Sequence, residues 1–216
     1  MAEEIQDGFL REIEEELRQE HYAKLWKRYG VHIITAAVML VAVVGGYQAW
    51  TRYDTNTRNE LGERFAKAQT LILENKKDEA QAALSAMAAD SNSGYAMLAR
   101  FRNAALQALR GGGAAGYNKL VADPNIDVIY RDLAVLLAVT HEAGTTDSRK
   151  LMARLEPLKA DGNPWRHSAR ELYAILAVGA GDADKAREVL KSLSEDATAP
   201  QGLRTRATEL LAATGQ

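Results

Sequence analysis

The sequence holds four histidines, the side chains best suited to proton transfer or metal ligation near neutral pH, and their spacing builds neither kind of site. His21 and His32 lie in the N-terminal tail and the apolar segment after it, with His32 at an edge where it can reach water. His141 opens the run HEAGT, which lacks the second histidine of a helical zinc motif. His167 lies alone beside Trp165 and Arg166, so packing or surface roles are expected for both of the later histidines. Cysteine is absent, which removes thiol nucleophiles, disulfides, iron–sulfur clusters and cysteine-based zinc sites together. The glycines Gly111–Gly113 have no Lys-Ser/Thr after them and form no phosphate loop. Gly179-Ala180-Gly181 follows a helical rather than a strand pattern, against a dinucleotide fold. Asp182-x-Asp184 lacks the closing glutamate of a calcium loop. The carboxylates are otherwise scattered. The expectation is a protein without catalytic residues, cofactor or metal, and without a small-molecule substrate.

The elements that would position such residues divide the chain by charge. Residues 1–30 carry 8 acids against 5 bases, 31–50 carry none, and the remainder carries 22 bases against 21 acids. The net charge of -2 leaves no basic footprint for nucleic acid. The uncharged stretch Gly30–Trp50 is apolar, and a helix of about 20 residues rising 1.5 Å each spans a hydrocarbon core of about 30 Å. Trp26 and Tyr29 before it, and Tyr47, Trp50 and Tyr53 after it, form the aromatic belt that prefers headgroup depth. The preceding segment is too long and too acidic for a signal peptide, and no A-x-A site follows. The cluster Lys24, Lys27 and Arg28 favours a cytosolic N-terminus, which puts the C-terminal part on the other side, in the periplasm of a Gram-negative cell. Ala42-xxx-Gly46 and Gly45-xxx-Ala49 have the spacing of close helix contacts, although small residues are common in membrane helices generally. Homo-oligomers are therefore left open.

Ahead of the anchor, Ile5, Phe9, Ile13 and Leu17 follow an i, i+4 rhythm on a charged helix, read either as a simple extension of the anchor or as a docking helix. Beyond Thr51 the periodicity is helical throughout. Breaks fall at 75–77, 90–93, 111–113, 123–125, 144–146, 161–164, 179–181 and 198–200, which cut the region into about nine helices. The fold class is all-α: an N-terminal helical tail (1–30), one transmembrane helix (31–50) and a tetratricopeptide-like solenoid (51–216).

Two repeat units are legible. In 168–193, Ala174 is the small residue of the first helix, Gly181 makes the turn, and Ala186 and Leu190 are the small and large positions of the second. In 64–87, Ala68, Asn75, Ala80 and Leu84 repeat that order. Ala80 and Ala186 lie 106 residues apart, close to three periods of about 34–35, which predicts two intervening units centred near Ala115 and Lys150. Small residues at these places let paired helices cross closely. The run 202–215 reads as a terminal helix closing the stack.

The run REIEEELRQEHYAKLWKRYG leading into the anchor, the Tyr47-x-x-Trp50 step after it, and the ending NPWRHSARELYAIL…GD…APQGLRTRATELLAATG together resemble a bacterial inner-membrane family. It is the tetratricopeptide-repeat-like family that includes the ancillary subunit of the SecYEG translocon. The resemblance implies a cytosolic N-terminus, a periplasmic repeat domain, and protein partners among translocon subunits, periplasmic chaperones or their clients. Physical reasoning alone supports a membrane-anchored scaffold whose stacked helices offer a groove to other proteins. It leaves open an envelope or cell-division organiser that acts by self-association.

Overall fold

A computed structural model describes residues 2–90 and 94–215, with side chains described at 22–24 and from 26 onward. The apolar face at Ile5, Phe9, Ile13 and Leu17 lies outside the described side chains, and 91–93 within the second expected break lie outside the described residues. Nine α-helices follow one another, with no strand among the described residues. They are α1 (Ala2–Leu73), α2 (Lys77–Ala88), α3 (Gly94–Gln107), α4 (Ala115–Ala122), α5 (Val128–Glu142), α6 (Ser148–Leu155), α7 (Arg166–Gly179), α8 (Ala183–Glu195) and α9 (Gln201–Thr214). A wide helical turn, Ala108–Gly112, follows α3, and a 3-10 turn, Glu156–Lys159, follows α6. The all-α expectation holds. The chain forms two compact units, Met1–Leu61 and Gly62–Gln216.

In the first unit, α1 carries the one stretch among the described residues that is long and apolar enough to cross a membrane. Its side chains from Val31 to Trp50 are exposed all round, as suits a helix whose solvent is lipid. The few hydroxyls are absorbed by the helix itself: Thr35 donates to the Val31 carbonyl at 2.8 Å and Thr51 to the Tyr47 carbonyl at 3.0 Å.

The second unit is built from four helix pairs and a closing helix. The pairs are residues 62–73 of α1 with α2, which share one apolar cluster, α3 with α4, α5 with α6, and α7 with α8, and α9 packs on α8. Each first helix carries a buried alanine at the same register: Ala68, Ala104, Ala138 and Ala174, successively 36, 34 and 36 residues apart. Each second helix carries a buried leucine: Leu84, Leu120, Leu155 and Leu190, 36, 35 and 35 apart. Between them the chain reverses through a residue of positive φ, namely Asn75, Gly111, Gly144 and Gly181, at 61°, 88°, 84° and 78°. Asparagine and glycine are the residues that enter this left-handed region most cheaply, which is why they end the first helices.

The buried residue at the matching register of the second helix is small in the first pair, Ala80, and in the last, Ala186. In the second pair it is Gly116, and in the third it is Leu151. Both lie one residue downstream of the expected Ala115 and Lys150. The third pair differs further: its turn holds one extra residue, so Ala138 and Leu151 are 13 apart where the other pairs have 12. A polar clasp fastens this region. Arg154 of α6 forms an ion pair with Glu142 of α5 and donates to the Asn118 amide oxygen of α4 at 2.8 Å, while Asn118 donates back to Glu142 at 2.7 Å. All three groups are partly buried, where charge-assisted bonds are stronger than in open water.

The apolar core is correspondingly a string rather than a centre. One cluster joins Ala68, Ala80, Leu84 and Leu106. The next joins Ala104, Tyr117, Leu120 and Ala138; the third joins Val139, Leu151, Leu155 and Tyr173; the last joins Ala174, Leu190, Leu193 and Ala207. Each cluster is shared by neighbouring helices only, the arrangement that defines a solenoid.

Candidate protein-interaction groove

Packing of this kind uses one side of each first helix and leaves another side to solvent. In the second unit the exposed large apolar side chains are Leu73, Leu98, Leu109, Val128, Ile129, Tyr130, Ile175 and Val178. All stand on first helices or on the turn directly after one; among the described residues α2, α4, α6, α8 and α9 have none. The asymmetry is not what solubility would select, since scattered exposed apolar residues should fall on both helices of a pair.

Between α3 and α5, Leu98 and Tyr130 border a groove of about 530 Å³. Tyr95, Leu98 and Phe101 form one wall, and Tyr130, Leu133 and Leu137 the other. The lining contains no charged side chain. The wall of α3 is held from behind by Phe65 of α1, whose ring centroid lies 6.0 Å from that of Tyr95. The start of α5 is held by Trp165, whose indole donates to the Ile129 carbonyl at 2.8 Å. The surface is uncharged and largely apolar. It can take up apolar side chains, with two tyrosine rings as amphipathic contacts.

The residues singled out from the sequence fall elsewhere. Ala68, Ala80, Leu84, Ala174, Ala186 and Leu190 are buried inside the pairs, and Gly181 makes the turn between α7 and α8. They position the groove and do not line it. Trp26, Tyr29, Tyr47, Trp50 and Tyr53 are exposed on α1. The Trp26 indole lies along the helix over Gly30, where a Cβ would meet it at 3.2 Å, and the Arg28 guanidinium sits 5.6 Å from the Tyr29 ring centroid. Lys24 and Lys27 are likewise exposed. His32 is exposed, His141 stacks on Tyr117 with centroids 5.3 Å apart, and His167 is buried; the side chain of His21 is outside the described set. Asp182 caps α8 by accepting from the Lys185 amide at 3.1 Å, and Asp184 pairs with Arg187. No three His, Asp or Glu side chains among the described residues are grouped to hold a metal ion. The groove residues themselves were missed. Their signal was a surplus: Leu98 with Phe101, and Tyr130 with Leu133 and Leu137, supply more apolar surface than one buried helix face needs.

Stacked antiparallel helix pairs with an apolar face along their first helices define a helical-repeat module of the kind that binds other proteins. The chain belongs to the tetratricopeptide repeat-like domain family, whose model matches residues 23–136, just over half of the sequence. No curated protein and no solved structure matches it.

Proposed function

We propose that the protein is a non-catalytic scaffold, tethered to the inner membrane by residues 31–50, that presents the α3–α5 groove to protein partners. On this reading residues 1–30 are cytosolic and 51–216 periplasmic, and the partners are translocon subunits together with periplasmic chaperones. The confinement of exposed apolar side chains to the first helices carries the binding role, because it marks one face of the stack for burial against something else. The cluster Lys24, Lys27 and Arg28 supports the orientation, and the resemblance of both ends of the chain to the translocon-associated family supports the partners.

A photo-crosslinking residue placed at Leu98 or Tyr130 of the full chain in native membranes tests the reading. Translocon subunits and periplasmic chaperones are the expected adducts. Recovery of division or envelope-assembly proteins alone would overturn the secretion role. Leu98→Glu is expected to weaken partner capture about 10- to 100-fold, the loss of one well-placed apolar contact plus a buried charge, without detaching the protein from the membrane.

A further inference from the structure

We propose that the contact between the first turn of α7 and the α8–α9 connection is an acid-sensitive latch that seats the closing helix α9. The connection presents Asp196, Thr198 and Ala199. Ala199 is buried with Ala174, Leu190, Leu193 and Ala207, so it lies in the core on which α9 rests. The Asp196 carboxylate is shaped by its own loop: it accepts from the Thr198 amide at 2.8 Å and from the Thr198 hydroxyl at 2.6 Å. Its other oxygen lies 3.5 Å from His167 Nδ1 and 3.5 Å from an Arg170 nitrogen. Arg166 reaches the same loop, donating to the Thr198 hydroxyl at 3.2 Å.

Within this contact His167 is out of place. It is only 7% exposed, and neither ring nitrogen has a hydrogen-bond partner. A buried imidazole with both nitrogens unpaired is tolerable while neutral and costly once charged. The charged groups acting on it are Arg166 and Arg170 from its own helix and Asp196 from the α8–α9 connection. On its outer side Arg170 is paired with Asp161 of the α6–α7 connection at 2.6 Å. Protonation of His167 would therefore place a third cation beside two guanidiniums, with one carboxylate in reach. Burial is the largest influence and holds the imidazole below its ordinary 6.5; Arg166 adds to it, and Asp196 opposes it. Asp196 is itself held below the usual carboxylate range, mainly by the Thr198 hydroxyl, so it stays ionised across the window in which histidine titrates.

The sign follows from those two directions. A histidine whose folded value is depressed stabilises the closed form above its unfolded value of 6.5, and that stabilisation is lost as pH falls through 6.5 toward the folded value. Acid loosens the latch, and α9 is the element released.

Hydrogen–deuterium exchange of the full chain in nanodiscs, corrected for intrinsic rates, reads this directly. Between about pH 7.5 and about pH 5.5 the protection of residues 201–214 is expected to fall about three- to tenfold, within the limit of one proton per site. His167→Leu should keep that protection nearly level across the same range. An unchanged wild-type helix, or an equal fall in the variant, would overturn the proposal. Titration of the wild-type imidazole by NMR decides the matter without any variant: a midpoint at or above 6.5 would refute the latch, and one below it would support it.

Discussion

Gly116→Ala is expected to destabilise the repeat domain by about 1–3 kcal/mol, even though alanine exceeds glycine as a helix former by about 1 kcal/mol. A Cβ at Gly116 would stand 2.8 Å from the Ala104 Cα and 2.9 Å from its Cβ. Those atoms belong to the neighbouring helix at the crossing itself, so no side chain can swing away and α3 and α4 must separate. Gly116→Leu should prevent the second pair from forming. Gly202→Ala serves as the control, because the nearest atom to its Cβ is the flexible tip of Arg206 at 3.8 Å. It is expected to gain up to about 1 kcal/mol from helix propensity alone. Thermal unfolding of the full chain, followed by the fluorescence of Trp165, would measure both; a destabilisation shared by the two variants would contradict the crossing argument.

Leu155→Ala should cost about 2–5 kcal/mol, the range for emptying a fully buried leucine site. Leu155 is completely buried with Leu151, Leu158 and Tyr173 between α5, α6 and α7. Leu190→Ala should behave alike, since Leu190 holds the same register and is buried beneath α9. Leu98→Ala, by contrast, removes a side chain that is already half exposed, and should change stability by less than about 1 kcal/mol. Denaturant unfolding separates the two kinds of leucine. If Leu98→Ala cost as much as Leu155→Ala, Leu98 would belong to the core and the groove would lose its free wall.

Much of this architecture was legible in the sequence because it rests on local signals. Glycine, proline and asparagine marked the helix ends, and the uncharged stretch before Thr51 marked the one described helix long and apolar enough to cross a membrane, since both depend on single residues or short runs. The first and last repeats showed themselves where alanine sat at both crossing positions. The middle repeats did not, for a physical reason: Gly116 does the work of an alanine, Leu151 replaces one, and an added turn residue shifts the third pair out of register. The match to the family model ends at residue 136, two residues before Ala138, the last first-helix position before that shift. The groove was the least legible part. Leu98 and Leu106 share a helix and a residue type, yet Leu98 is half exposed on the groove while Leu106 is buried against Ala68 of α1 and Ala80 and Leu84 of α2.

The clasp of Asn118, Glu142 and Arg154 gives the stack an uneven stiffness. The other three pairs carry small buried residues on both of their helices, a close-packed seam that resists shear because any slip opens a void. The third pair is joined partly by an ion pair, whose strength falls as dissolved salt screens it. Under a pulling force along the stack, the joint between α5 and α6 should be the first to give, and it should give sooner in concentrated salt.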